Sequence, residues 1–289
     1  DLGKELCPPY DVISSHEQSA LYELSPNNAI RLELGISDAS DSDSDNRYTR
    51  ASILLADWVK EGILIRDDTP TIYAIRETFV HEGIQKIRMS LFARVRLEEF
   101  SRGIVLPHEE TSSGPKKDRL GLIKETNANL SPIMGIYRDN TGEINNLLSQ
   151  TMYQTPTDSA NYNQGTLELW AIEDIKINEQ ITNSLKHSSI YLADGHHRYE
   201  TSLAYLKYQN TLSPLKESDP CHFILMCLIE IEDSGLIVLP YHRIMRHLSD
   251  ARFDTMMNLI RTNFEVREFD LSDIPHPVQK IQIEQEQDQ

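Results

Sequence analysis

Residues 194–200 read Asp-Gly-His-His-Arg-Tyr-Glu. An acid, a glycine, two histidines and an arginine crowd into consecutive positions, a collection costly to bury in an apolar core. The preceding run, Ile190 to Ala193, is apolar and predicts a buried strand. Gly195 breaks it, and from His196 the apolar positions Tyr199, Leu203 and Leu206 recur at helical spacing. Asp194 to Arg198 therefore fall where a strand hands over to a helix. At such a junction the first backbone amides lack partners and the helix dipole favours negative charge. Three chemistries fit. The amides of Gly195 to His197, with the Arg198 guanidinium, would hold a phosphate. His196 and Glu200, one helical turn apart on one face, have a workable metal-ligand spacing, although no separate HxxxH or cysteine pair accompanies them. As structure alone, Asp194 caps the helix and the histidines bond locally.

A second polar stretch is Leu106-Pro107-His108-Glu109-Glu110-Thr111, followed by Gly114-Pro115-Lys116-Lys117-Asp118-Arg119. It reads as a loop with a Gly-Pro bend that enters a helix continuing through Lys124. Beside a phosphate, Lys116 or Lys117 would offset charge, and His108, Glu109 or Glu110 would be a candidate base. A solvated loop is the plain alternative. Leu239-Pro240-Tyr241-His242-Arg243 again puts cationic side chains at the end of a strand, a pattern that in isolation is ordinary surface. Cys7-Pro8-Pro9-Tyr10-Asp11 reads as a rigid turn with a packed tyrosine. The chain has no GxxxxGK[ST] loop and no GxGxxG.

These groups need elements to position them. Residues 1–13 are expected to be extended. Ser14-Ser15-His16-Glu17 is a capping box for a helix that runs to about Leu24 and stops before Pro26. Ala29 to Leu34 alternates and predicts a strand. Ser37 to Asn46, acidic and Ser-rich, is a solvated loop, and Tyr48 to Lys60 an amphipathic helix closed by Gly62. Thr71 to Val80 and Lys86 to Leu97 predict a hairpin about His81-Glu82-Gly83. Next come a strand at Pro132–Tyr137, a helix at Asn140–Leu148, a loop at Met152–Gln164, a strand at Leu167–Ile172 and a helix at Glu173–Lys186. Phe223 to Ile231 and Leu236 to Leu239 predict another hairpin, and Ala251 to Thr262 a last helix. Helices and strands interleave without strict βαβ order, so the fold class is α/β with a mixed sheet. One domain over 1–289 is expected. A weakly marked boundary near 140–165 would divide it into lobes of about 1–150 and 151–289.

The net charge is -17. That field repels a phosphate backbone and disfavours nucleic-acid partners, while a small phosphorylated ligand depends on local groups. No apolar run approaches the roughly 20 residues of a membrane span; the longest, Phe223 to Ile229, contains Cys227 and reads as a strand. Three cysteines, Cys7, Cys221 and Cys227, with no CxxC, suit a reducing compartment and a cytoplasmic location. Asp1 is not an initiating residue, and the polar stretch Lys280 to Gln289 reads as a tail or a fragment edge.

Several segments together resemble a prokaryotic family known as domain of unknown function 1015. They are Pro8 to Ser14, Arg31-Leu32-Glu33, Asn46-Arg47-Tyr48, Leu106 to Glu109, Gly114-Pro115-Lys116, Asp118-Arg119, Ala128-Asn129 with Ser131-Pro132-Ile133, Ala193 to Glu200, and Leu239-Pro240 with His242-Arg243. The resemblance runs in family order from residue 7 to 243 and implies a further C-terminal part. Two positions depart from the family. Cys7 stands where a small residue is usual, against an essential nucleophile there, and Glu110 stands where Arg usually follows His-Glu. The family carries no activity. Asp194 to Arg198 is also similar to the Asp-Gly-His-His-Arg motif of ParB/sulfiredoxin-like proteins, including archaeal free-serine kinases, where it sits at a helix N-terminus and binds nucleotide phosphates. That similarity implies an ATP or ADP site with Mg²⁺ and phosphoryl transfer or hydrolysis. Gly195, His196, His197, Arg198, Lys116, Arg119, His242 and Arg243 would face the phosphates. Glu109, Asp194, His108 or His197 would supply the catalytic group. Two other classes stay open: a non-catalytic nucleotide-sensing or partner-binding module, and a metal-dependent hydrolase using His196, Glu200 and His108.

Overall fold

A computed structural model describes residues 2–239, 245 and 247–266. Eight strands form one sheet: β1 (Ile72–His81), β2 (Ile84–Arg96), β3 (Val105–Leu106), β4 (Ile133–Tyr137), β5 (Asp158–Tyr162), β6 (Gly165–Ile172), β7 (Ile190–Asp194) and β8 (Phe223–Glu230). Their order is β3-β7-β4-β8-β2-β1-β6-β5. β3–β7 and β4–β8 are parallel and the other pairs antiparallel, so the sheet is mixed, as the interleaved pattern predicts. The helices are α1 (Ser15–Leu24), α2 (Ile30–Glu33), α3 (Arg47–Lys60), α4 (Ser113–Thr126), α5 (Glu143–Met152), α6 (Ile175–Leu185), α7 (His196–Leu212) and α8 (Asp250–Asn263). α7 packs on β4, α4 on α7 and α3 on α4, while α5 packs on β1 and β6 and α6 on α5. Leu91, Ile133, Leu192, Tyr199, Met226 and Leu228 lie in the core between them. Residues through Ile237 form one compact unit and Val238 onward a second; in the latter, α8 has no buried residue. Among the described residues no helix is long and apolar enough to cross a membrane.

Local chemistry explains the elements that match. Ser14 caps α1: its hydroxyl accepts the Glu17 amide at 3.3 Å while the Glu17 carboxylate accepts the Ser14 amide at 2.8 Å. The β1–β2 turn is Glu82-Gly83, with φ of 50° and 78°. Left-handed backbone at both positions twists with the strands it joins.

Five elements differ from the sequence pattern. The first thirteen residues are not simply extended: 3-10 turns form at Leu2–Lys4 and Tyr10–Val12 on either side of Pro8-Pro9. Ala29 to Leu34 contains a helical turn, not a strand. Asn28, fully buried, accepts the Ile30 amide at 2.9 Å and donates to the carbonyls of Lys4 and Leu6, so a side chain fixes the turn that alternation alone would extend. α4 starts at Ser113, so Gly114 to Arg119 are helical rather than a bend. Pro115 occupies the first turn, where a missing amide costs nothing. β5 replaces an expected loop; it is a polar edge strand, joined to β6 through Asn163 and Gln164 at positive φ. Leu236 to Leu239 form no strand. β8 already has β4 on one side and β2 on the other, so no edge remains for a hairpin partner. The turn that precedes the segment is held by the Asp233 carboxylate, which accepts the Met89 amide at 3.1 Å.

Candidate functional site at the junction of β7 and α7

β7 ends at Asp194 and α7 begins at His196, with Gly195 between them at φ 89°. A side chain there would be doubly obstructed, because a Cβ would also lie 2.6 Å from Ile133 Cγ2. Gly195 offers no side chain to cap the helix, which leaves the first-turn amides of His196, His197 and Arg198 without a side-chain cap. β3 runs parallel to β7, with Val105 opposite Ile190 and Leu106 opposite Tyr191. The chain leaving β3 therefore emerges beside the end of β7, and this delivers His108 and Glu109 to the junction.

His108 is held twice. Its amide donates to His196 Nε2 at 3.2 Å, and its ring Nδ1 lies 2.7 Å from the Leu192 carbonyl oxygen. A carbonyl only accepts, so Nδ1 carries a proton, and in the neutral ring Nε2 is the acceptor. The two imidazoles meet edge to face, with centroids 4.5 Å apart. His196 is 2% exposed. Burial, and then His108, lower its pKa against the pull of Glu109 and Asp194, so it is neutral. With Nε2 accepting, the His196 proton sits on Nδ1, 3.7 Å from Glu109 Oε1.

The start of α4 closes the other side. His197 Nε2 accepts the Ser112 amide at 3.1 Å. Glu200 accepts from Thr111 Oγ1 at 2.6 Å and from Lys116 Nζ at 2.8 Å. Burial pushes the Glu200 pKa up, but these two donors prevail and hold it below the usual carboxylate range. Thr111 and Ser112 have no motif of their own, and the Leu192 contact is made by backbone, so side-chain identities gave no signal for any of the three.

Other expected phosphate ligands are engaged elsewhere. Arg198, with its side chain 10% exposed, donates to the Pro132 carbonyl at 2.7 Å, to Ser131 Oγ at 3.1 Å and to Asp194 at 2.5 Å. Arg119 is 6% exposed and lines a small pocket with Arg198, Ser131 and Ser202. It binds Glu33 at 3.0 Å and Asp118 at 2.6 Å, and its guanidinium lies 3.9 Å from the Tyr10 ring centre. Asp118 also accepts from Arg47 and Tyr48. The Pro-Pro-Tyr-Asp, Arg-Leu-Glu, Asn-Arg-Tyr and Asp-Arg segments thus meet in one polar network behind the junction. Burial, reinforced by Glu33, raises the Cys7 thiol to about 12, which keeps it protonated and unreactive. His242 and Arg243 lie outside the described residues.

Fold and junction define an α/β protein with a histidine-rich polar site at a strand-to-helix turn. A family model described as protein of unknown function (DUF1015) matches residues 2–288, and the chain belongs to that family. No curated protein and no solved structure matches it.

Proposed function

We propose that the β7–α7 junction binds the phosphate of ATP, ADP or a phosphorylated metabolite, and that the protein transfers or hydrolyses the phosphoryl group. The observation that carries this reading is the uncapped N-terminus of α7 beside His108, whose ring is held by Nδ1 on the Leu192 carbonyl so that Nε2 is the ring nitrogen available to a ligand. The amides of His196, His197 and Arg198 hold phosphate oxygens. His108 Nε2 takes the proton of the attacking hydroxyl or water. Lys116, anchored to α7 through Glu200, offsets phosphate charge. Such catalysis is positioning plus charge stabilisation, ordinarily with a divalent cation. Arg198 serves as the brace that fixes Asp194 and the Ser131–Pro132 turn. The similarity of residues 194–198 to ParB/sulfiredoxin-like kinases supports the same reading, and the cysteine pattern supports a cytoplasmic location.

A thermal-shift panel of nucleotides and phosphometabolites tests it. A ligand at about 100 times its Kd stabilises by about 2.7 kcal/mol. His108→Gln should retain that shift and lose turnover. No shift with any ligand counts against phosphate binding, and undiminished turnover in His108→Gln counts against the base. Binding without turnover in the unsubstituted protein would mark a sensing module.

A further inference from the structure

The structure assigns a divalent transition-metal site to His108, Glu109 and His196. The inference rests on the reading of the junction as a phosphate site and supplies what that site lacks. Each basic side chain there is matched by an acid, Lys116 by Glu200 and Arg198 by Asp194, and Glu109 adds a third carboxylate beside His196. A phosphate entering there needs a further cation.

The geometry points to where that cation sits. One ligand atom from each of His108, Glu109 and His196 lies within 4.8 Å of the other two. Atoms bound to one tetrahedral ion at about 2.1 Å stand roughly 3.4 Å apart. His196 Nδ1 and Glu109 Oε1, at 3.7 Å, are already close to that separation. Glu109 has a side chain 52% exposed and is free to move inward. His108 has the arrangement metal-bound histidines favour, with one ring nitrogen bonded to a backbone carbonyl and the other free. Two imidazoles and one carboxylate suit zinc, manganese, cobalt or ferrous iron over magnesium or calcium. Three protein ligands leave positions for water and a phosphate oxygen, as in catalytic metal sites. Glu200, one turn from His196, is not part of the set: it lies outside the cluster of close ligand atoms, and Lys116 and Thr111 both hold its Oε2.

Loading has a structural consequence. The His196 proton is on Nδ1, because Nε2 accepts the His108 amide. An ion on Nδ1 moves that proton to Nε2 and breaks the amide contact. One neutral hydrogen bond is exchanged for a metal bond, and His108 changes from base to ligand. A water on the ion would then supply the base in place of His108.

Cobalt(II) titration of untagged, chelator-stripped protein tests the site, followed by visible absorption and calorimetry. The expected result is one ion per chain, with affinity weakened at least about tenfold in His108→Ala and in Glu109→Gln. The neighbouring exposed acid variant Glu110→Gln should stay near the unsubstituted value. Cobalt binding no tighter than in the His108→Ala/Glu109→Gln double variant overturns the assignment. Inorganic phosphate titrated with and without chelator separates the two readings. Phosphate binding to stripped protein that takes up no cobalt overturns the metal site and leaves the phosphate site standing. Cobalt uptake that depends on His108 and Glu109, without phosphate binding in either form, upholds the metal site and removes the phosphate reading.

Discussion

Arg198→Ala separates a brace from a ligand-binding arginine. Its side chain is 10% exposed, so the losses are mostly internal. The bond to the Pro132 carbonyl, 2.7 Å from a charged donor, is worth about 1.5–3 kcal/mol. The bond to Ser131 at 3.1 Å adds about 1 kcal/mol. Asp194 is 52% exposed and rehydrates when its partner leaves, so that pair contributes less than about 1 kcal/mol. Against these, Arg198 Nε is buried with no partner among the described residues, and its removal recovers about 1 kcal/mol. The net expectation is a loss of about 2–3 kcal/mol. At about 2–4 °C per kcal/mol for a domain of this size, the melting temperature should fall by about 4–12 °C. Phosphate affinity, measured by titration on the folded fraction, should change by less than about threefold, since the amides and not the guanidinium hold the anion. A melting temperature within about 1 °C of the parent, with affinity down about tenfold, would show that Arg198 grips the ligand and would refute the assignment of Arg198 as a brace.

Three further outcomes follow from the same geometry. Gly195→Ala forces a left-handed alanine, about 1–2 kcal/mol, and a contact 2.6 Å from Ile133 Cγ2 that adds about 1–3 kcal/mol; a thermal melt matching the parent would contradict this. Glu33→Gln removes one of the two carboxylates on the buried Arg119, whose bonds to Asp118 and to the residue-33 backbone carbonyl remain, and should cost about 1–3 kcal/mol in urea unfolding; a change under about 0.5 kcal/mol would mean the pair is idle. Asp118 and Glu200 are both held below the ordinary carboxylate range in the folded chain. Burial opposes this, but Arg119 and Tyr48 prevail for Asp118, as Lys116 and Thr111 do for Glu200. Their contribution is therefore complete above the unfolded value of about 4 and lost as pH falls through the lower folded values. Asp118→Asn should flatten the melting-temperature profile between about pH 5 and pH 2, and an unchanged slope would rule Asp118 out as its source.

Much of the frame was legible because the signals were local. The Ser14–Glu17 capping box, the Glu82-Gly83 turn and the apolar-run-to-Gly195 break each carry their cause in adjacent residues. The misread elements depend on distant ones. Ala29 to Leu34 alternates like a strand, but its conformation is set by Asn28 reaching back to Lys4 and Leu6. Leu236 to Leu239 has strand composition, yet no free edge borders β8. At the site, His108, Glu109, Lys116 and residues 194–200 were identifiable by type, and the parallel pairing of β3 with β7 brings them together. Composition could not separate Arg119 and Arg198 from a phosphate-binding arginine, because only burial and partners show that each is already bonded. The tautomer of His108, on which the choice of base turns, depends on a backbone carbonyl that no residue type encodes.

The central claim is that α7 presents its N-terminal amides to phosphate. Titrating inorganic phosphate into ¹⁵N-labelled protein, with amide resonances assigned, addresses it directly. The account predicts saturable shifts that are largest at His196, His197 and Arg198. Saturable shifts elsewhere, with those three amides unmoved, would contradict it.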